Sequence, residues 1–194
     1  MGSLAVFAAA MSVCDPSLGE HAARVGAHAE AVASRLGFTE EALDGLRLGA
    51  ALHDVGKVSV RPGVLGKPGR LTAAERAEVR AHPVEGAYLI AGVPSLHDAL
   101  PYVLFHHERW DGSGYPTGRA GLEIPLEGRL LAVADAFDAM TSDRPYRDPL
   151  PFEEAAAEVE RCAGTQFDPD LARAFLACHA AGEIVAREPL PVAV

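Results

Sequence analysis

Along nearly the whole chain, apolar residues return every three or four positions, and strand-like alternation is scarce. That is the period of an α-helix. Helices patterned this way bury their apolar stripes against one another, so the predicted fold class is all-α, a compact bundle of about seven to nine helices. Punctuation residues place the elements. One helix runs from Leu18 to Leu36 and ends at Gly37. Thr39 caps the next, with Glu40 and Glu41 in its first turn, where the helix dipole favours acids. That helix carries Leu43, Leu46, Ala50 and His53. Thr72 and Glu75 form a capping-box pattern, and a break is expected near Pro83. Further helices are read over Ser95–His106, Leu126–Thr141 and Phe152–Cys162. Asp168 before Pro169 reads as a cap and a first-turn proline, opening a last helix to Ala180. Leu4–Val13 reads as a short core helix, having no basic residue before it and no clear cleavage site. Residues 181–194, with Pro189 and Pro191, read as a frayed tail.

Two stretches break the pattern, Ser59–Arg70 and Glu108–Glu123, both rich in Gly and Pro. Long loops of this kind inside a helical domain are more often functional than decorative. The length, 194 residues, suits one domain. With 17 basic against 27 acidic residues the net charge is −10, which argues against DNA or RNA polymers and against a polybasic membrane anchor. It leaves open a small phosphorylated ligand held by metal ions. Cys14, Cys162 and Cys178 are scattered, as expected in a reducing cytoplasm. No run approaches the roughly 20 apolar residues of a membrane span, so no membrane insertion is expected.

Eight histidines are present, and their arrangement matters more than their number. His53 adjoins Asp54, and His106 adjoins His107. Gly56 follows the first pair and a Gly-rich loop the second, so the backbone can turn and aim neighbouring side chains at one point. Imidazole suits Fe, Mn, Zn, Ni and Cu, and a carboxylate adds hard oxygen and can bridge two ions. A core or capping role would explain either pair alone; both together favour metal. His28, seven residues after His21, reads as structural, and His97 and His179 have no partner pattern.

The stretch HDVGK (His53–Lys57) resembles the signature of the HD superfamily of metal-dependent phosphohydrolases. HHERWDGSGYP (His106–Pro116) narrows this to a resemblance to HD-GYP domains. Segments 15–25, 70–86, 133–147 and 164–171 resemble the family's opening, isolated-His, distal-Asp and closing motifs, in order. The resemblance covers residues 15–177 and implies a helical bundle of the HD-domain type, a single domain over 1–194. It implies a bacterial signalling enzyme, a phosphodiesterase that hydrolyses cyclic di-GMP to the linear dinucleotide pGpG, or on to GMP, by a hydroxide bridging a binuclear metal centre. His21, His53, Asp54 and Asp135 would hold one ion; Asp54 would bridge to a second held by His82, His106 and His107. The family's usual metals point to two Fe ions, or Mn.

The same resemblance makes Lys57 a candidate catalytic and phosphate-binding residue, with a snorkelling surface Lys as the bland alternative. Arg144 and Arg147 stand at the positions for clamping substrate phosphates, which the guanidinium fork suits. Asp111, Gly112, Gly114, Tyr115 and Pro116 form the GYP loop. Tyr115 and Trp110 could stack on a guanine or a partner, and the family's loop is also linked to GGDEF cyclase domains. Asp111 is expected to order the loop or a histidine. Glu108 could orient a histidine, and Asp138, three residues after Asp135, could support the site. Relatives with a third metal carry a Glu where this chain has Ser17, so two metals are expected and hydrolysis to GMP is in doubt. No receiver or sensor segment is legible in the chain. Competing readings are another HD nucleotide phosphohydrolase and a non-catalytic module that binds the dinucleotide or a cyclase domain.

Overall fold

The computed structural model describes residues 17–143 and 148–184. The expected Leu4–Val13 helix, Arg144, Arg147 and most of the tail lie outside them. The helices run α1 (Ser17–Arg35), α2 (Glu40–Leu52), a 3-10 turn (Val55–Ser59), α3 (Pro62–Leu65), α4 (Ala73–Arg80) and α5 (His82–Ala91). A 3-10 segment (Pro94–Ala99), α6 (Leu100–Phe105), a 3-10 turn (Gly121–Glu123), α7 (Leu126–Thr141), α8 (Phe152–Arg161) and α9 (Pro169–Ala180) complete them, with no strand among the described residues.

The expected caps form. Thr39 accepts from the Ala42 amide at 3.3 Å. Thr72 and Glu75 exchange side-chain and backbone bonds at 2.7 and 3.3 Å. Asp168 accepts from the amides of Asp170 and Leu171. Two expectations are corrected. The helix read over Ser95–His106 is split, because Pro101 sits in the first turn of α6 and a 3-10 segment precedes it. Proline lacks the N–H a continuing helix needs there. The Ser59–Arg70 loop contains α3, opened by Pro62. The break near Pro83 falls at Ala81, between α4 and α5.

Two apolar clusters form. The larger joins α1, α2, α7, α8 and α9 around Val25, Leu46, Leu131, Phe137 and Phe175. α7 buries Leu130 to Ala134 without interruption, as a helix enclosed by others must. The smaller joins Leu52, Val55, Ile90, Leu96, Ala99 and Val103. α2 and α6 serve both: Leu46 and Tyr102 belong to the larger cluster, Leu52 and Val103 to the smaller. Their C-terminal ends therefore fall on the seam, where His53 and His106 follow.

Candidate metal centre

Three histidines are presented by one local device. His53 follows α2, His82 lies two residues past α4, and His106 follows α6. The last carbonyls of a helix have no intrahelical partner. Each imidazole folds back on one of them, three residues earlier: His53 Nδ1 on Ala50 O at 2.8 Å, His82 Nδ1 on Val79 O at 2.8 Å, His106 Nδ1 on Val103 O at 2.9 Å. A carbonyl can only accept, so each Nδ1 carries the proton and each Nε2 presents a lone pair. His21, on α1, is turned the same way by a carboxylate, donating Nδ1–H to Asp138 at 2.7 Å. Arg24, one turn on, forks onto Asp138 at 2.6 and 3.2 Å and reaches Ser142.

The Nε2 atoms converge on Asp54, which the 3-10 turn after α2 holds in the interior. Its Oδ1 lies 3.2 Å from His82 Nε2 and 4.0 Å from His106 Nε2. Its Oδ2 lies 3.5 Å from His53 Nε2, 4.0 Å from His21 Nε2 and 2.5 Å from Lys57 Nζ. Asp135, on α7, joins through His21 Nε2 at 3.2 Å. The turn reaches this depth because Gly56 lies against α5: a Cβ there would stand 1.9 Å from the His82 carbonyl.

Burial opposes charge on Asp54, but Lys57 and the imidazoles hold its carboxyl well below the usual range. Burial likewise opposes charge on Asp135, and His21 and neighbouring imidazoles outweigh it. Burial lowers His53 and, with the surrounding imidazoles, holds His106 well below the ordinary value. Burial also takes His107 down to about 4. For His21, burial is outweighed by Asp135 and Asp138, which raise it to about 9.

These residues fit metal ions on geometry alone. The buried His53 Nε2 has no hydrogen-bond partner. His82 and His106 aim Nε2 at Nε2 across 3.2 Å with both Nδ1 protons committed elsewhere. Facing lone pairs ask for a cation between or beside them. One group, Asp54, His82, His106 and His107, and another, His21, His53 and Asp54, bring potential ligand atoms within 4.8 Å of one another.

The loop after His107 packs over this cluster. Tyr115 stacks on His107 with centroids 4.8 Å apart, and the Tyr115–Pro116 peptide is cis. Asp111 accepts from the Ser113 amide and hydroxyl and pairs with Arg109, holding the loop. Glu108 does not orient a histidine. Its carboxylate accepts from the Thr117 amide and hydroxyl and the Gly118 amide, because the chain folds back over it. Gly114 permits that fold, since a Cβ would lie 2.4 Å from the Arg109 nitrogen. Gly112 takes a φ of 79°. Trp110 sits at the loop base, with its indole 4.0 Å from where a Cβ on Gly121 would be and the Arg129 guanidinium 5.9 Å from its centroid. His28 packs edge-on against Phe137 and Phe175, in the core as expected. Arg24 escaped the reading of the sequence. The signal was a matched pair of spacings: His21 and Arg24 on α1 face Asp135 and Asp138 on α7, each pair three residues apart.

A model of the HD domain matches residues 6–171. The chain is 41% identical over 158 residues to a cyclic di-GMP phosphodiesterase of Thermotoga maritima, covering 80% of this chain and 43% of that protein. It is 37% identical over 160 residues to a 3′3′-cGAMP-specific phosphodiesterase of Vibrio cholerae, covering 81% and 31%. The chain thus spans less than half the length of either relative. An HDGYP-type protein of Bdellovibrio bacteriovorus shares the fold at a TM-score of 0.66 and 21% identity, over 84% of this chain and 52% of that one.

Proposed function

This chain belongs to the HD-domain family, and on that premise we propose that it hydrolyses a cyclic dinucleotide, cyclic di-GMP, to the linear pGpG at a binuclear metal centre. The supporting observation is the convergence of four imidazole Nε2 atoms on the two oxygens of one buried carboxylate. In this reading Asp54 would serve both ions, with His21, His53 and Asp135 as the residues that would complete one site and His82, His106 and His107 the other. Two divalent cations held there, Fe or Mn, would supply Lewis acidity and lower the pKa of a bound water. The protein's part is to hold the ligand atoms in a fixed, largely buried array. The carbonyl anchors keep the imidazoles in the ligating tautomer, which orients first-contact ligands in metal sites generally. Lys57, paired with Asp54 Oδ2, helps keep that carboxylate ionised; for its contact with a phosphate oxygen the support is the motif resemblance. For Arg144 and Arg147 as phosphate clamps the support is the motif resemblance alone. No helix among the described residues is long and apolar enough to cross a membrane.

The test is a product assay by chromatography on protein loaded anaerobically with Fe or Mn, with cyclic di-GMP and 3′3′-cGAMP offered in parallel. Linear dinucleotide from the parent and none from His53→Ala plus Asp54→Ala is expected. GMP as the main product would sink the argument from Ser17. Preference for cGAMP would move the substrate assignment. No product from metal-replete protein would sink the catalytic reading and favour a binding module.

A further inference from the structure

We propose that Tyr115, through the face of its ring, is the positioning residue for His107, so that the GYP loop holds the second metal site together. The inference rests on the reading of His107 as a ligand given above. His21, His53, His82 and His106 each have Nδ1 anchored by a hydrogen bond to a carboxylate or a carbonyl. Among the described residues, no hydrogen bond reaches the His107 ring.

Rings hold His107 instead. Tyr115 stacks on it at 4.8 Å with 30° between planes, His106 lies at 4.1 Å and 43°, and His82 meets it edge-on at 5.0 Å and 90°. His82 and His106 are themselves in the cluster, so Tyr115 is the support that comes from outside it. Tyr115 is in turn held from two sides of the fold. Its amide donates to the His107 carbonyl at 3.1 Å, and the Arg80 guanidinium lies 4.6 Å from its ring centroid. Arg80 ends α4, whose Val79 carbonyl anchors His82, so one helix end steadies both imidazoles. A stacked ring resists tilt and displacement of its neighbour through its flat face. The Tyr115 hydroxyl makes no hydrogen bond among the described residues, so phenylalanine suffices and an aliphatic side chain does not.

The test is a Mn(II) titration of metal-free protein, read by electron paramagnetic resonance and by bound metal per chain. The parent is expected to bind two ions and His107→Ala one. Tyr115→Leu should weaken the second ion about 10–100-fold, the usual cost of losing a supporting residue, and leave the first unchanged. Tyr115→Phe should match the parent. Two equally tight ions in Tyr115→Leu, with one lost in His107→Ala, would overturn the inference and leave the ligand reading standing. Parent-like binding by His107→Ala would overturn both. A second readout needs neither metal nor a variant: the carbon-bound ring protons of His107 in the metal-free parent should be shifted upfield by the Tyr115 ring current. Unshifted protons would overturn the stack directly.

Discussion

The two sides of the metal centre are built differently. On the side of the smaller apolar cluster, His53, His82 and His106 are anchored on main-chain carbonyls at helix ends. On the side of the larger cluster, His21 is anchored by the side chains of Asp138 and Arg24 across α1 and α7. The first device depends on where helices stop; the second depends on two helices keeping their register. Substitution of Asp138 or Arg24 should therefore damage the α1–α7 side selectively, whereas the anchors of His53, His82 and His106 should yield only to changes of the backbone path.

Asp54→Asn removes the group both sides share, and should abolish turnover and leave less than one metal per chain by elemental analysis. Gly56→Ala attacks the helix-end side through its backbone. A Cβ there stands 1.9 Å from the His82 carbonyl and 2.5 Å from the Gly86 nitrogen, so a loss of about 4 kcal/mol or more in urea unfolding is expected. Gly19→Ala, with nothing within 4 Å of its Cβ, should instead stabilise α1 by about 0.5–1 kcal/mol; a similar loss in both variants would refute the close-packing argument.

His28 tests the larger cluster by pH. Burial, with Arg24 adding and Asp138 opposing, lowers it from 6.5 to about 4. Between those values the unfolded chain binds a proton that the folded one does not. The stabilisation is complete above pH 6.5, falls as pH drops toward 4 and levels off below, a loss of about 3 kcal/mol. His28→Leu should flatten that part of the stability profile; an unchanged slope would remove His28 as its origin. Asp138→Asn should cost about 10–100-fold in affinity at the site holding His21 and leave the other unchanged. Equal weakening of both sites would erase the distinction between the two sides. Arg24→Gln should act in the same direction and less strongly.

Legibility in the sequence followed the range of the interactions. The bounds of α7, 126–141, could be read outright, because Pro125 precedes it and the apolar run Leu130–Ala134 lies within it. The Thr72–Glu75 box and the Asp168–Pro169 start were legible because a cap is decided within four residues. The split of the Ser95–His106 segment depends on how Pro94 and Pro101 punctuate a short apolar run, which periodicity alone does not weigh. Adjacent ligand types were visible as pairs. The anchors were not: a carbonyl three residues back has no side chain to see, and Asp138 lies 117 residues from His21. Glu108 was misjudged because its partners, Thr117 and Gly118, meet it only once Gly114 has folded the loop back.

The loop carrying Tyr115 is fastened at its base by two consecutive rungs. The Trp110 amide donates to Gln166 O at 3.0 Å and the Asp111 amide to Thr165 O at 2.8 Å, in antiparallel order. Arg109 adds a bond to the Gln166 side chain at 2.9 Å. Neither rung belongs to a helix, so neither amide hydrogen is guarded by helical cooperativity. The two make a built-in gauge: their exchange with deuterium times the lifting of the loop from the α8–α9 turn, separately from the unfolding of the bundle.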